Sequence, residues 1–238
     1  MLADRIEAMR GYLSGWKRHL LRRRGVRVFR YHGLVEAKTD PVLDRNQHLL
    51  SVFRAQMSYL RRFRVLSISE LVEELGSGDL GRTPTAMITF DDGFQNNLLA
   101  AEVLTRWRMP FAIFVPSGEV GPRRAMWSVE VSLLMISGRA DRVELLGQTW
   151  PLKTRQEREK SFRELRARLK AVPSAVRLEA MTQLRAQYPA GESDRLLEQS
   201  PWLRMLTWDE LDQLGRSGVE IGSHGRHHEH DHSGHHHE

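Results

Sequence analysis

Apolar positions along this chain switch between two periods. Residues 26–31, 85–90 and 111–115 are short apolar-rich runs of strand length, bounded by turn residues. Between the first two, Leu50, Phe53, Met57 and Leu60 recur at spacings of three and four, which predicts a helix over 49–62. Residues 64–68 read as a short strand, and Ser69 as the cap of a helix over 70–75. A further helix spans 95–108 and is closed by Pro110. The stretch 155–171 is strongly charged but carries one apolar stripe of Phe162, Leu165, Leu169 and Val172. Pro173 ends it, and Leu178, Met181, Leu184 and Tyr188 start a second stripe. Thr207 and Glu210 have capping-box spacing and predict a helix leading to a strand that ends near Ile221. Strands alternating with helices predict an α/β fold.

Composition adds bounds rather than identity. With 238 residues and 40% hydrophobic content the chain can bury one sizeable core. It has no cysteine, so disulfides and thiolate chemistry are excluded. The net charge is +6, yet residues 1–30 hold nine Lys/Arg against two acids, so the remainder is close to neutral. No nucleic-acid-binding motif accompanies this charge, and none is expected to bind. Within 1–25, Leu2, Ile6, Met9, Leu13, Trp16 and Leu20 form an apolar stripe among cations, a basic amphipathic helix. Asp4, Arg5, Glu7 and Arg10 interrupt any signal-peptide core. Such a helix can lie on an anionic membrane surface or pack against the rest of the protein. No run approaches the ~20 apolar residues that span a bilayer. The expectation is a cytoplasmic protein, peripheral at most to the inner membrane.

Two segments carry chemistry. In Thr89-Phe90-Asp91-Asp92-Gly93, adjacent carboxylates follow a buried strand, and alternation sends them in different directions. One can ligate a cation while the other handles a proton; as a bare turn, the pair would simply be solvated. Far down the chain, Ile221-Gly222-Ser223-His224-Gly225-Arg226-His227-His228 offers His224 and His228 four apart, a spacing at which one helical or tight turn aims both rings at one ion. His227 is the alternative to His228, which the i, i+4 spacing favours.

Together these motifs resemble the polysaccharide deacetylase family, the NodB-type carbohydrate esterases. Their Thr-Phe-Asp-Asp-Gly motif is matched at all five positions, and their His-(Ser/Thr)-x-x-His motif at both histidines, with Gly225 in place of Ser or Thr. Phe29-Arg30-Tyr31-His32-Gly33 is similar to the family's first strand, 111–115 to the strand after the Asp-Asp helix, and 207–224 to the helix and strand before the second motif. The resemblance runs over about 26–228. It implies a partial, distorted (β/α) barrel of the NodB-homology type, with a helical insertion over 119–199 between the two metal motifs. That insertion is either a solvated helical pair or a lid over the substrate groove.

The resemblance also implies the roles. Asp92, His224 and His228 hold a divalent metal, zinc first; Asp91 is the general base; His32 contacts substrate or supports a ligand. The implied reaction is hydrolysis of N-acetyl groups on an amino-sugar polymer or oligosaccharide. Spacing alone does not separate the roles of Asp91 and Asp92. The family's barrel continues past the second motif and supplies a late histidine acid, whereas ten residues follow His228 here. The chain is therefore expected to be the N-terminal part of such a domain, with a partner or dimer covering its open edge. The other readings are an impaired remnant that binds metal or carbohydrate, and a related amidase acting on cyclic or formylated amides. Eight of the eleven histidines lie in 224–238, and the tail 229–238 binds metals loosely whatever the fold does.

Overall fold

The computed structural model describes residues 25–77 and 83–228. The N-terminal stripe and the histidine-rich tail lie outside these residues. The protein is α/β, with a five-stranded all-parallel central sheet and, among the described residues, eight α-helices. Strand β1 (Val26–Tyr31) pairs along all of β5 (Thr85–Phe90). On the other side of β5 lie the two-residue β4 (Arg64–Val65), at its start, and β6 (Ala112–Val115), at its end. Strand β9 (Glu220–Ser223) then pairs with β6. No pairing joins β1 to β9 among the described residues, and Val28 and Ile221 on these outer strands are exposed. Two short strands, β2 (Gly33–Val35) and β3 (Gln47–Leu49), pair with each other beyond the end of β1.

The predicted helix faces pack where the pattern places them. Helix α1 (Leu50–Leu60) buries Leu50, Phe53, Met57 and Leu60, each worth roughly 1.5–3 kcal/mol on removal from water. Tyr31 lies edge-on to Phe53 and stacked on Phe90, with its hydroxyl donating to Gln56 Oε1 at 2.8 Å. The next helix, α2 (Ile68–Ser77), corrects the predicted cap. Ser67 Oγ accepts from the Glu70 amide and Glu70 Oε2 accepts from the Ser67 amide, so Ser67 is the cap and Ser69 lies inside the helix. Helix α3 (Asn97–Arg106) follows the Asp-Asp turn.

Between β6 and β9 the chain builds a helical subassembly with a core of its own. It holds α4 (Trp127–Ser137), α5 (Arg155–Ala171), α6 (Ser174–Arg185) and α7 (Glu192–Glu198). It is not purely helical: β7 (Arg142–Leu145) and β8 (Gln148–Pro151) form an antiparallel hairpin. Leu146 and Gly147 have positive φ, the signature of a tight two-residue turn. Phe162, Leu165 and Leu169 are buried, as are Met181, Leu184 and Tyr188, whereas Leu178 is exposed. Helix α4 is buried nearly all round, so it has no amphipathic period for a sequence reading to find. After a 3-10 turn at Pro201–Leu203, α8 (Trp208–Arg216) starts on the predicted Thr207–Glu210 capping box and leads into β9. Among the described residues no helix is long and apolar enough to cross a membrane.

Candidate active site

Parallel pairing sets the ends of β1, β5, β6 and β9 along one edge of the sheet. Tyr31 is level with Phe90, Phe90 with Ile113 and Val115 with Ser223. The residues that follow these positions are His32, Asp91 and Asp92, and His224. Carboxyl ends of parallel strands are where α/β sheets place ligands, because the loops there converge.

Asp91 and Asp92 diverge at the end of β5. The Asp91 amide continues the ladder to the Tyr31 carbonyl at 2.9 Å, and its Oδ2 lies 3.7 Å from Arg30 Nε. Asp92 leaves the strand with φ 74°, a left-handed conformation that Asp tolerates better than most residues, and Gly93 follows at 66°. A Cβ on Gly93 would come within 2.6 Å of Val115 Cγ1. This turn drives the Asp92 side chain inward until only 3% of it is exposed.

Three imidazoles surround that buried carboxylate. His228 Nε2 is 3.2 Å and His224 Nε2 3.7 Å from Asp92 Oδ1, and His32 Nε2 is 4.0 Å from Oδ2. Burial pushes the Asp92 carboxyl up, but His228, His32 and His224 together hold it below the usual carboxylate range. Residues 224–228 form a tight loop rather than a helical turn. The His224 amide donates to Val115 O, and the amides of Ser117 and Gly118 donate to Gly225 O and Arg226 O. Gly225 has φ 78° and His228 φ 52°, so the position at which the family resemblance expects Ser or Thr needs a left-handed residue here.

The donor set fits a divalent ion. Asp92, His224 and His228 each offer one ligand atom, all within 4.8 Å of one another. Asp92 Oδ1 is buried and accepts no well-directed hydrogen bond, so the atom facing both imidazoles is an orphaned anionic donor. Asp91 lies outside this group of three. His227 is elsewhere, with Nδ1 2.9 Å from Glu119 Oε1. Sequence reasoning passed over Arg30 and the Glu119–His227 pair. Arg30 is adjacent to the Tyr-His pair and was legible as a strand-end cation, whereas Glu119 is brought to His227 only by tertiary structure.

No family model matches the chain, and neither does any curated protein sequence. Among solved structures, it is similar to a de-N-acetylase from Aggregatibacter actinomycetemcomitans at 14% identity and a TM-score of 0.40, covering 84% of this chain and 54% of that one. It is also similar to IcaB from Ammonifex degensii at 18% identity and a TM-score of 0.37, covering 81% and 96%. A third is the Streptococcus pyogenes deacetylase PplD in complex with acetate, at 14% and 0.35, covering 82% and 80%. The chain spans about half the length of the first of these. The likenesses are distant, and the functional reading below rests on the residues of the site.

Proposed function

We propose that this chain is a metal-dependent hydrolase that removes N-acetyl groups from an amino-sugar polymer or oligosaccharide. The observation that carries the reading is the orphaned Asp92 Oδ1 facing two imidazoles, with a second carboxylate, Asp91, beside it and outside the ligand group. Pure metal storage has no use for that second carboxylate.

Asp92, His224 and His228 would hold the ion, and three protein ligands leave positions open for chemistry. Two imidazoles and a carboxylate suit zinc and leave other divalent metals open. When bound there, the ion supplies Lewis acidity, lowering the pKa of water and polarising the acetyl carbonyl. Asp91 takes the proton from the attacking water and can pass it to the departing amine nitrogen, so that acetate and a free amine result. Arg30 keeps a positive charge 3.7 Å from Asp91 through that cycle. His32, 29% exposed at its side chain, has Nε2 4.0 Å from Asp92 Oδ2, so it can support the ligand or touch the sugar.

The test is metal content and acetate release from N-acetylglucosamine oligomers by the chain without residues 229–238, which would bind metal on their own. Asp91→Asn should retain the metal and lose about 10²–10⁴-fold in rate. Asp92→Asn should lose both. Acetate release that survives Asp91→Asn at full rate removes Asp91 from the mechanism, and absence of metal from the unaltered chain removes the reading itself.

A further inference from the structure

Helix α5 carries Phe162, Arg166 and Lys170 at a spacing of four, on one face. The Arg45 guanidinium lies 5.2 Å over the Phe162 ring. Arg45 belongs to the loop before β3, and that loop is fixed to the catalytic edge. Gln47 Oε1 accepts from Asn96 Nδ2 at 2.6 Å, and a Cβ on Gly33, next to His32, would run into both residues. At its other end, buried Asp44 accepts from the Thr39 and Asp40 amides and from Trp202 Nε1. Asp40 pairs with Arg155 at the start of α5. Loop and helix are thus clamped together, with Arg45 held over the face of α5 that carries Phe162, Arg166 and Lys170.

These cations sense one another and the site. Burial first, and then Arg166, push the Arg45 guanidinium down to about 10, with Asp92 opposing. Burial, Arg166 and Arg45 push Lys170 down, again with Asp92 opposing. Burial lowers Arg166 as well. Nε of Arg45 and Nε of Arg166 are buried without an acceptor, and among the described residues no carboxylate lies within ion-pair distance of either guanidinium. By contrast Arg155, Arg185, Arg195 and Arg204 on nearby elements each hold a carboxylate. A half-buried cation without a counter-charge costs free energy. Asp92 offsets it only through space and pairs with neither guanidinium, its oxygens facing three imidazoles.

We propose that Arg45, Arg166 and Lys170 form an anion subsite on the Asp92 side of the sheet, and that the substrate is an acidic N-acetylated glycan bearing a carboxylate or sulfate on a sugar neighbouring the one that reacts. Guanidinium groups match such anions with paired, charge-assisted hydrogen bonds. A neutral glycan would leave both guanidinium groups unpaired. The assignment of this anion to a substrate rests on the deacetylase reading; the anion subsite itself does not.

Equilibrium binding to the full chain tests it, with three N-acetylated oligosaccharides of equal length: neutral N-acetylglucosamine, an alternating N-acetylglucosamine–glucuronate, and its sulfated counterpart. An acidic oligomer should bind at least about tenfold more tightly than the neutral one in low salt, and the gap should narrow as salt rises. Arg166→Met and Arg45→Met should each remove most of that gap, while Arg166→Lys should keep part of it and serves as the folding control. Because residues 1–30 are themselves basic, only the portion lost in these variants counts. Whichever acidic oligomer loses more names the anion. Equal binding of neutral and acidic oligomers, or a preference that survives the Arg45→Met/Arg166→Met double substitution, overturns the subsite. Acetate measured in parallel separates the two readings. Release without discrimination leaves deacetylation and removes the subsite; an Arg166-dependent preference without any release does the reverse.

Discussion

Asp92 and Gly93 occupy consecutive left-handed positions, at φ 74° and 66°, and such geometry in a non-glycine residue costs on the order of 1–3 kcal/mol. The strain is local to the turn that aims Asp92 at His224 and His228. Gly93→Ala should therefore do two things. Its Cβ would meet Val115 Cγ1 at 2.6 Å in a backbone conformation alanine resists, so stability should fall by about 1–3 kcal/mol, read as a lower thermal midpoint. Metal affinity should fall as well, measured by titration at a temperature where the variant is folded, since Asp92 cannot keep its direction if the turn relaxes. A variant that loses stability while binding metal as before would uncouple the turn from the site. At this scale the sequence was most legible where chemistry is contiguous: Asp91 and Asp92 are neighbours, and His224 and His228 share one loop. Arg45, Arg166 and Lys170 were illegible because each looks like an ordinary surface cation until a loop and a helix are folded together.

Between elements, Glu220 shows why a cap can be misread. It opens β9, yet its carboxylate accepts from the Ile68 amide at 2.6 Å, the Ser69 amide at 3.0 Å and the Ser69 hydroxyl at 2.6 Å, at the N-terminus of α2. Ser69 has capping chemistry nearby, but its partner is 151 residues away, and no local pattern reports that. The helix N-terminus and three donors favour the ionised form. Burial pushes the Glu220 carboxyl up, but the Ser69 and Ile68 donors outweigh it and hold it below its ordinary 4.5. A depressed folded value stabilises the protein above the unfolded pKa, and the contribution is lost as pH falls through the folded value. Glu220→Gln should therefore cost roughly 1–2 kcal/mol at neutral pH. The difference from the unaltered chain should shrink below about pH 4.5, in urea midpoints taken across that range. A difference that does not change with pH would mean the contribution is packing, not charge.

At the scale of the whole molecule, the described residues form two hydrophobic cores joined at the turn that carries Asp92. One lies around the sheet, with Tyr31, Phe53, Phe90 and Ile113. The other fills the insertion, with Leu134, Trp150, Leu165 and Met181. The sequence showed the insertion and two of its stripes, but its central helix α4 has no polar face and its hairpin breaks the helical pattern, so the second core was hidden. Phe94 belongs to the insertion core although it stands two residues after Asp92. It bridges to Met205, while the Gln95 amide donates to Arg204 O and the Leu206 amide to Gly93 O. Leu206 belongs to the sheet core, so residues 204–206 tie both cores to the turn that carries Asp92. This predicts a contrast between two truncations. Phe94→Ala and Trp150→Ala each empty a fully buried aromatic site and should each cost about 3–5 kcal/mol. Trp150 lies on the hairpin strand β8, with its Nε1 donating to Leu145 O and no bond to the Asp92 turn among the described residues, so its loss should leave metal affinity unchanged in the folded protein. Loss of Phe94 should weaken metal binding as well as stability, because the Asp92 turn loses its anchor on the insertion side. Unfolding midpoints paired with metal titrations on both variants decide it: equal metal affinities would make the insertion a stabilising appendage, and unequal ones make it part of the frame that holds the site.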